Sequence, residues 1–184
     1  MILFFFKRIM ILLSFLSILI PCQLNAENDL SGEYYVKAAF IYNFAKFIEW
    51  PEASFATPTA PLTLCILGKD PFGSTIETIQ GKNVRAHDLN IEYIDDLRSI
   101  KNCHILFICS SEKGNLKEIL SKIKGLPILS VSDMDGFSNQ GGMIHFFRIG
   151  NSIRFKINAD AAKRAHIKIS SQLLKLAEIV KENP

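Results

Sequence analysis

Hydrophobic positions along this chain follow two rhythms. From Glu33 to Trp50, Val36, Phe40, Phe44 and the Phe47/Ile48 pair recur at helical spacing, and Pro51 closes the run. That periodicity predicts a helix packed along much of its length by a wide apolar stripe. Leu62 to Gly68, His104 to Ser110 and Pro127 to Asp133 are instead short, continuously apolar segments, the pattern of strands buried on both faces. A helix starting at Asp70-Pro71 and running to about Gln80 uses the tolerance of proline in a first helical turn. Another spans Leu116 to Lys124, with Leu116, Ile119, Leu120 and Ile123 on one face. Val84 to Ile94 reads as a strand with irregular ends. Apolar strands alternating with amphipathic helices predict βαβ units and a parallel sheet covered on both sides.

The chain changes character after the segment DGFSNQGG, which reads as a flexible linker. A short apolar strand reaches a tight turn at Gly150-Asn151, after which Ile153, Phe155 and Ile157 alternate with Arg154 and Lys156. Such alternation is that of a half-exposed antiparallel hairpin. It sends at least one of Phe146 and Phe147 inward; the other, beside Arg148 and Arg154, offers the aromatic and arginine side chains favoured at binding hot spots. Asn158 is placed to cap the next helix, with Asp160 in its first turn and Lys163 and Arg164 near its end. Ser170 or Ser171 caps a last helix whose Leu173, Leu176/Ala177 and Val180 face the core. The expected fold is therefore α/β: a Rossmann-like, mostly parallel sheet with helices on both faces and a C-terminal antiparallel hairpin.

The first 26 residues stand apart. Lys7 and Arg8 form a charged n-region, Ile9 to Ile20 an apolar h-region, and Leu24-Asn25-Ala26 a cleavage site after the break at Pro21. This is the layout of a secretory signal peptide, leaving residues 27–184 as a single exported domain. With 48% hydrophobic residues the chain has enough apolar material for one core. Removing the leader takes the formal charge from +3 to +1, with basic and acidic residues interspersed, so no nucleic-acid footprint remains.

The sequence is poor in catalytic patterns. It holds no H-E-x-x-H, no G-x-S-x-G, no phosphate-binding glycine loop with lysine and no C-x-x-C. His87, His104, His145 and His166 stand singly, which argues against a metal site. Asp133 and Asp135 fail as a calcium loop, because Val131 and Gly142 fall where carboxylates are needed. No cofactor is implied. Cys103 and Cys109 sit about 20 Å apart along one strand at ~3.3 Å per residue, beyond the reach of a disulfide. Cys65, on a neighbouring strand, can reach one of them, and register alone leaves the choice open. A different reading, a small-ligand sensor or carrier, would use the crevice at the carboxyl ends of the strands near Gly68, Ser110 and Asp133.

Three stretches resemble the YfiR/HmsC-like family of exported bacterial proteins: YYVKAAFIYNFAKFIEWP, LTLCILGKDPFG and the long block GGMIHFFRIGNSIRFKINADAAKRAHIKISSQLLKLA. The similarity extends over nearly all of Ser31 to Val180. It implies a periplasmic, non-enzymatic protein that dimerises. Such a protein binds the periplasmic sensor domain of an inner-membrane diguanylate cyclase and represses it, lowering cyclic-di-GMP and biofilm formation. The resemblance also implies Cys65–Cys103 as the bridge. It departs from the YfiR pattern in lacking a second cysteine pair, since Met143 to Asn158 holds none.

Overall fold

The computed structural model describes residues 24–181, with side chains from Gly32 onward. The chain divides into two compact units, residues 1–31 and 32–184. Of the first, only the helical backbone of residues 24–31 is described, so the charged and apolar regions of the expected leader lie outside the described residues. No helix among the described residues is long and apolar enough to cross a membrane.

Helix α1 (Leu24–Lys46) leads into the two-residue strand β1 (Ile48–Glu49), followed by β2 (Leu62–Leu67), β3 (Asn83–Val84), β4 (His87–Ile94) and β5 (Ile105–Ile108). Helix α2 (Leu116–Ile123), β6 (Leu129–Ser132), β7 (Ile144–Ile149), β8 (Ser152–Asn158), α3 (Ala159–Arg164), β9 (Lys168–Ile169), α4 (Ser171–Leu176) and β10 (Glu178–Val180) complete the chain. The eight-stranded sheet runs in the order β10-β8-β7-β6-β5-β2-β4-β3. It is mostly parallel; β3 with β4 and β7 with β8 are the antiparallel pairs. β1 and β9 form a separate antiparallel pair.

The strands are apolar throughout because both sides of the sheet are covered. On one face Leu64, Ile66, Ile105, Phe107, Leu129, Val131, Ile144 and Phe146 pack in a cluster with Ala38, Ile41, Phe44 and Ala45 of α1. On the other, Cys65, Leu67, Leu106 and Ile108 meet Leu116, Ile119 and Ile123 of α2, one turn-spaced stripe of that helix. Across the first face, Phe44 stands 4.8 Å from Phe155 and 5.6 Å from Phe146, ring centroid to centroid, and Phe40 lies 5.5 Å from Phe155.

Several elements depart from the sequence reading. α1 ends at Lys46, short of Pro51, because Ile48 and Glu49 leave the helix to pair with Ile169 and Lys168. Its buried stripe is Ala38, Ile41, Phe44 and Ala45, while Val36 faces solvent. The segment after Asp70 is a 3-10 turn over Gly73–Ile79, started by the Asp70 carboxylate accepting from the amides of Phe72 and Gly73. Ser170 caps α4, but that helix stops at Leu176. The residues beyond it form β10 parallel to β8, so Val180 contributes to a strand.

The segment read as a flexible linker is packed. Phe137 and Ser138 are buried, residues Ser138–Gln140 form a 3-10 turn, and Gly141 takes φ +102°. The fully buried Asn158 holds this segment. Its Nδ2 donates to the Ser138 carbonyl, its Oδ1 accepts from Ala161 to cap α3, and its amide donates to Met143. A Cβ at Gly142 would collide with the Phe137 ring. Gly142→Ala is therefore expected to cost about 1–3 kcal/mol through overpacking. Gly114→Ala, at a site with open space around it, should stay within about 0.5 kcal/mol; urea unfolding of both variants checks the contrast.

Candidate functional site

The β7–β8 pair sorts its side chains by alternation, and the Phe40/Phe44 cluster sets which set points inward. Phe146 is 1% exposed and packs in the core. Its cross-strand partner Phe155 is buried with it. Phe147 consequently lies on the opposite face, half-buried, directly across from the exposed Arg154. Ile149, one step further along that face, is 61% exposed. Lys156 holds its ammonium 5.0 Å from the Phe147 ring and 3.1 Å from Glu178 on β10. Arg148 shares the face of Phe146 beyond the core, where its Nη1 is 3.0 Å from Glu33 Oε2. Of the four interface candidates, Phe147 and Arg154 thus form one outward patch with Ile149; Arg148 belongs to another side and Phe146 to the core.

The carboxyl ends of the strands carry a polar cluster that the sequence reading missed. Lys37, 3% exposed, places its ammonium 2.5 Å from Glu33 Oε1 and 2.6 Å from Asp133 Oδ2. Tyr34 donates its hydroxyl to the same Asp133 oxygen at 2.8 Å, and burial beside these carboxylates raises its pKa well above the ordinary phenol value. Lys37 occupies a helix position surrounded by apolar residues, so hydrophobic patterning alone gives no signal for its long-range partner. This cluster engages Asp133, with a cavity of about 280 Å³ beside it, while a cavity of about 500 Å³ lined by Leu67, Asp95, Arg98 and Glu112 among others lies at the carboxyl end of β2. At Gly68 the space is occupied by the side chains of Ser111 and Glu112. Another cavity, about 440 Å³, lies at the amino ends of β2 and β4, lined by Trp50, Phe55, Leu62, Arg85 and His87 among others.

The disulfide joins Cys65 to Cys103, with Cα atoms 5.7 Å apart. The sheet explains the selection: Cys65 and Cys103 sit in the cluster under α2, whereas Cys109 belongs to the cluster under α1. The 3-10 turn Ile100–Asn102 brings Cys103 to that side just before β5 begins. Closing a loop across a sequence separation of 38 contributes about 4 kcal/mol in the chain-entropy model. Burial, reinforced by Asp70, Asp133 and Glu112, pushes the Cys109 thiol up to about 12, so it is a poor nucleophile at neutral pH.

Two histidines are buried without a catalytic partner. The Thr63 amide donates to His104 Nδ1 at 3.0 Å, which leaves the proton on Nε2 to be donated to the Ser54 carbonyl at 3.1 Å. His104 stacks on Phe55, which stacks in turn on His87. His145, 5% exposed on the same face of β7 as Phe147, has no hydrogen-bond partner for either ring nitrogen. Burial lowers the pKa of both His104 and His145. At His145 the nearby Lys156 acts in the same direction, while Asp135, Asp133 and Glu178 oppose it. Among the described residues, no three His, Cys, Asp or Glu side chains converge as a metal site.

The family model described as YfiR/HmsC-like matches residues 34–178, and the chain belongs to that family.

The histidine geometry carries a pH dependence. An unfolded histidine titrates near 6.5, and both buried imidazoles titrate below that, so acid protonates the unfolded chain first. Their stabilisation is complete above about pH 6.5 and is lost as pH falls towards the folded values, at up to about 1.4 kcal/mol per pH unit for each residue. Urea unfolding between pH 7 and 5 should show the decline, and His145→Phe should make it shallower. A profile that His145→Phe leaves unchanged would contradict the assignment.

Proposed function

We propose that this member of the YfiR/HmsC-like family is an exported, non-enzymatic regulator, with residues 1–26 as a cleaved leader and 27–184 as the working domain. It binds the periplasmic sensor domain of an inner-membrane diguanylate cyclase and holds the cyclase inactive, lowering cyclic-di-GMP and biofilm formation. Homodimerisation accompanies this role. The single observation that carries the reading is the outward face of β7–β8, within the longest of the three stretches that resemble the family. There Phe147 and the exposed Ile149 lie beside Arg154 and Lys156. An apolar centre beside the exposed Arg154, with Lys156 held by Glu178, on a scaffold fixed by the core beneath it, fits a docking surface for a partner that is apolar and acidic.

A regulator of this kind works through surface contacts and needs no reacting group. The one free thiol among the described residues is buried, and the buried Lys37 is held by two carboxylates. The rival reading, a small-ligand sensor, is favoured by the 440 Å³ cavity at the amino ends of β2 and β4. At the carboxyl ends Asp133 is engaged by Lys37 and Tyr34, and the cavity beside Leu67 is lined by several charged side chains.

Deleting the gene should raise cellular cyclic-di-GMP, and complementation with the wild-type chain should restore the lower level. Complementation with Phe147→Ala/Arg154→Glu should fail while the protein accumulates normally in the periplasm. An unchanged cyclic-di-GMP level on deletion, with the cyclase functional, would reject the proposal.

A further inference from the structure

A separate cavity, of about 360 Å³, lies between α2, the segment joining β6 to β7, and α3. Lys117, Lys124 and Arg164 line it, and no acidic side chain does. Leu120, Met143 and Ala161 supply apolar walls. Two of these cations have an ordinary structural explanation. Lys124 is the C-cap of α2 and Arg164 closes the last turn of α3, where positive charge complements the helix dipole. Lys117 has none. It is the second residue of α2, at the end where a cation is disfavoured. Seven residues before Lys124, it lies on the same side of the helix. Neither lysine has a carboxylate partner among the described residues, in contrast to Lys122, which pairs with Glu118 at 3.0 Å.

The floor adds an independent observation. Ser130 and Ser132 project from the same face of β6. Ser132 Oγ is fully committed, donating to the Ile108 carbonyl and accepting from the Met134 amide. Ser130, 1% exposed, lines the cavity and only accepts, from the Met143 amide at 3.0 Å. Its hydroxyl proton has no acceptor among the described residues. A buried donor without an acceptor, in a cavity lined by three cations and no acid, is a preformed half-site for an anion.

We propose that this cavity binds a small organic anion of two or more negative charges. Lys117, Lys124 and Arg164 neutralise it, the Ser130 hydroxyl donates to it, and Leu120 and Met143 pack against its carbon skeleton. Phosphate esters and polycarboxylates share this chemistry. The site is distinct from the hairpin face and stands without the cyclase reading.

Thermal unfolding and calorimetry of the purified protein test the proposal, with inorganic pyrophosphate and citrate as probes and sodium chloride at matched ionic strength as control. One of the two probes is expected to raise Tm by several degrees in a saturable way that sodium chloride does not reproduce. Lys117→Gln/Lys124→Gln should weaken that probe at least tenfold, and Lys113→Gln, outside the cavity, should leave its affinity unchanged. Binding of pyrophosphate alone identifies a phosphate ligand, and binding of citrate alone a polycarboxylate. The proposal is overturned if neither probe shifts Tm beyond the salt control, or if the double lysine variant binds as tightly as wild type.

Discussion

Four phenylalanines decide how this protein presents itself. Phe40 and Phe44 of α1 press against Phe146 and Phe155 of the β7–β8 pair, and aromatic pairs of this kind add about 0.5–1.5 kcal/mol each beyond area burial. Their consequence is larger than their energy. Side chains on a strand alternate with a period of two, so fixing Phe146 and Phe155 inward fixes Phe147, Ile149, Arg154 and Lys156 on the other face. A one-residue slip would exchange the two sets and bury Arg154. The packing of one helix against one hairpin thus determines which groups a partner can meet.

Buried polar contacts then lock the surrounding segments into register with that hairpin. Asn158 connects the end of β8, the cap of α3 and the turn at Ser138 through three hydrogen bonds. At the opposite ends of the strands, Lys37 ties α1 to Asp133 just after β6. Each is costly to break, because removing one partner leaves the others buried and unpaired. His145 is the exception among these groups. Both its ring nitrogens lack partners, so the part of the sheet nearest the proposed docking face carries a built-in sensitivity to acid.

Much of this was legible in the sequence, for a physical reason. Leu62–Leu67, Ile105–Ile108 and Leu129–Ser132 lie in the middle of a sheet covered on both sides, so each had to be almost wholly apolar. Asn158 and Ser170 mark helix starts by local hydrogen bonds that depend only on near neighbours. What escaped depends on distant parts of the chain. β1 exists only because Ile169 and Lys168 come back to pair with it, and the fate of Val180 is set by β8. The order of the 133–143 segment rests on Phe137 fitting against a residue without a Cβ, which composition alone reads as flexibility. The same holds for the sites: the hairpin alternation showed that one phenylalanine faces outward, but only α1 shows which. The Lys37–Asp133 pair, separated by 96 positions, leaves no local trace.

The outward face of β7–β8 is the proposed regulatory contact. The most direct measurement is the affinity of the purified protein for the isolated periplasmic domain of a membrane-bound diguanylate cyclase from the same organism, compared between wild type and Arg154→Glu. Saturable binding by the wild type is expected, weakened about 30-fold or more by the substitution, as for a hot-spot residue worth ~2 kcal/mol. Binding that Arg154→Glu leaves untouched would contradict it.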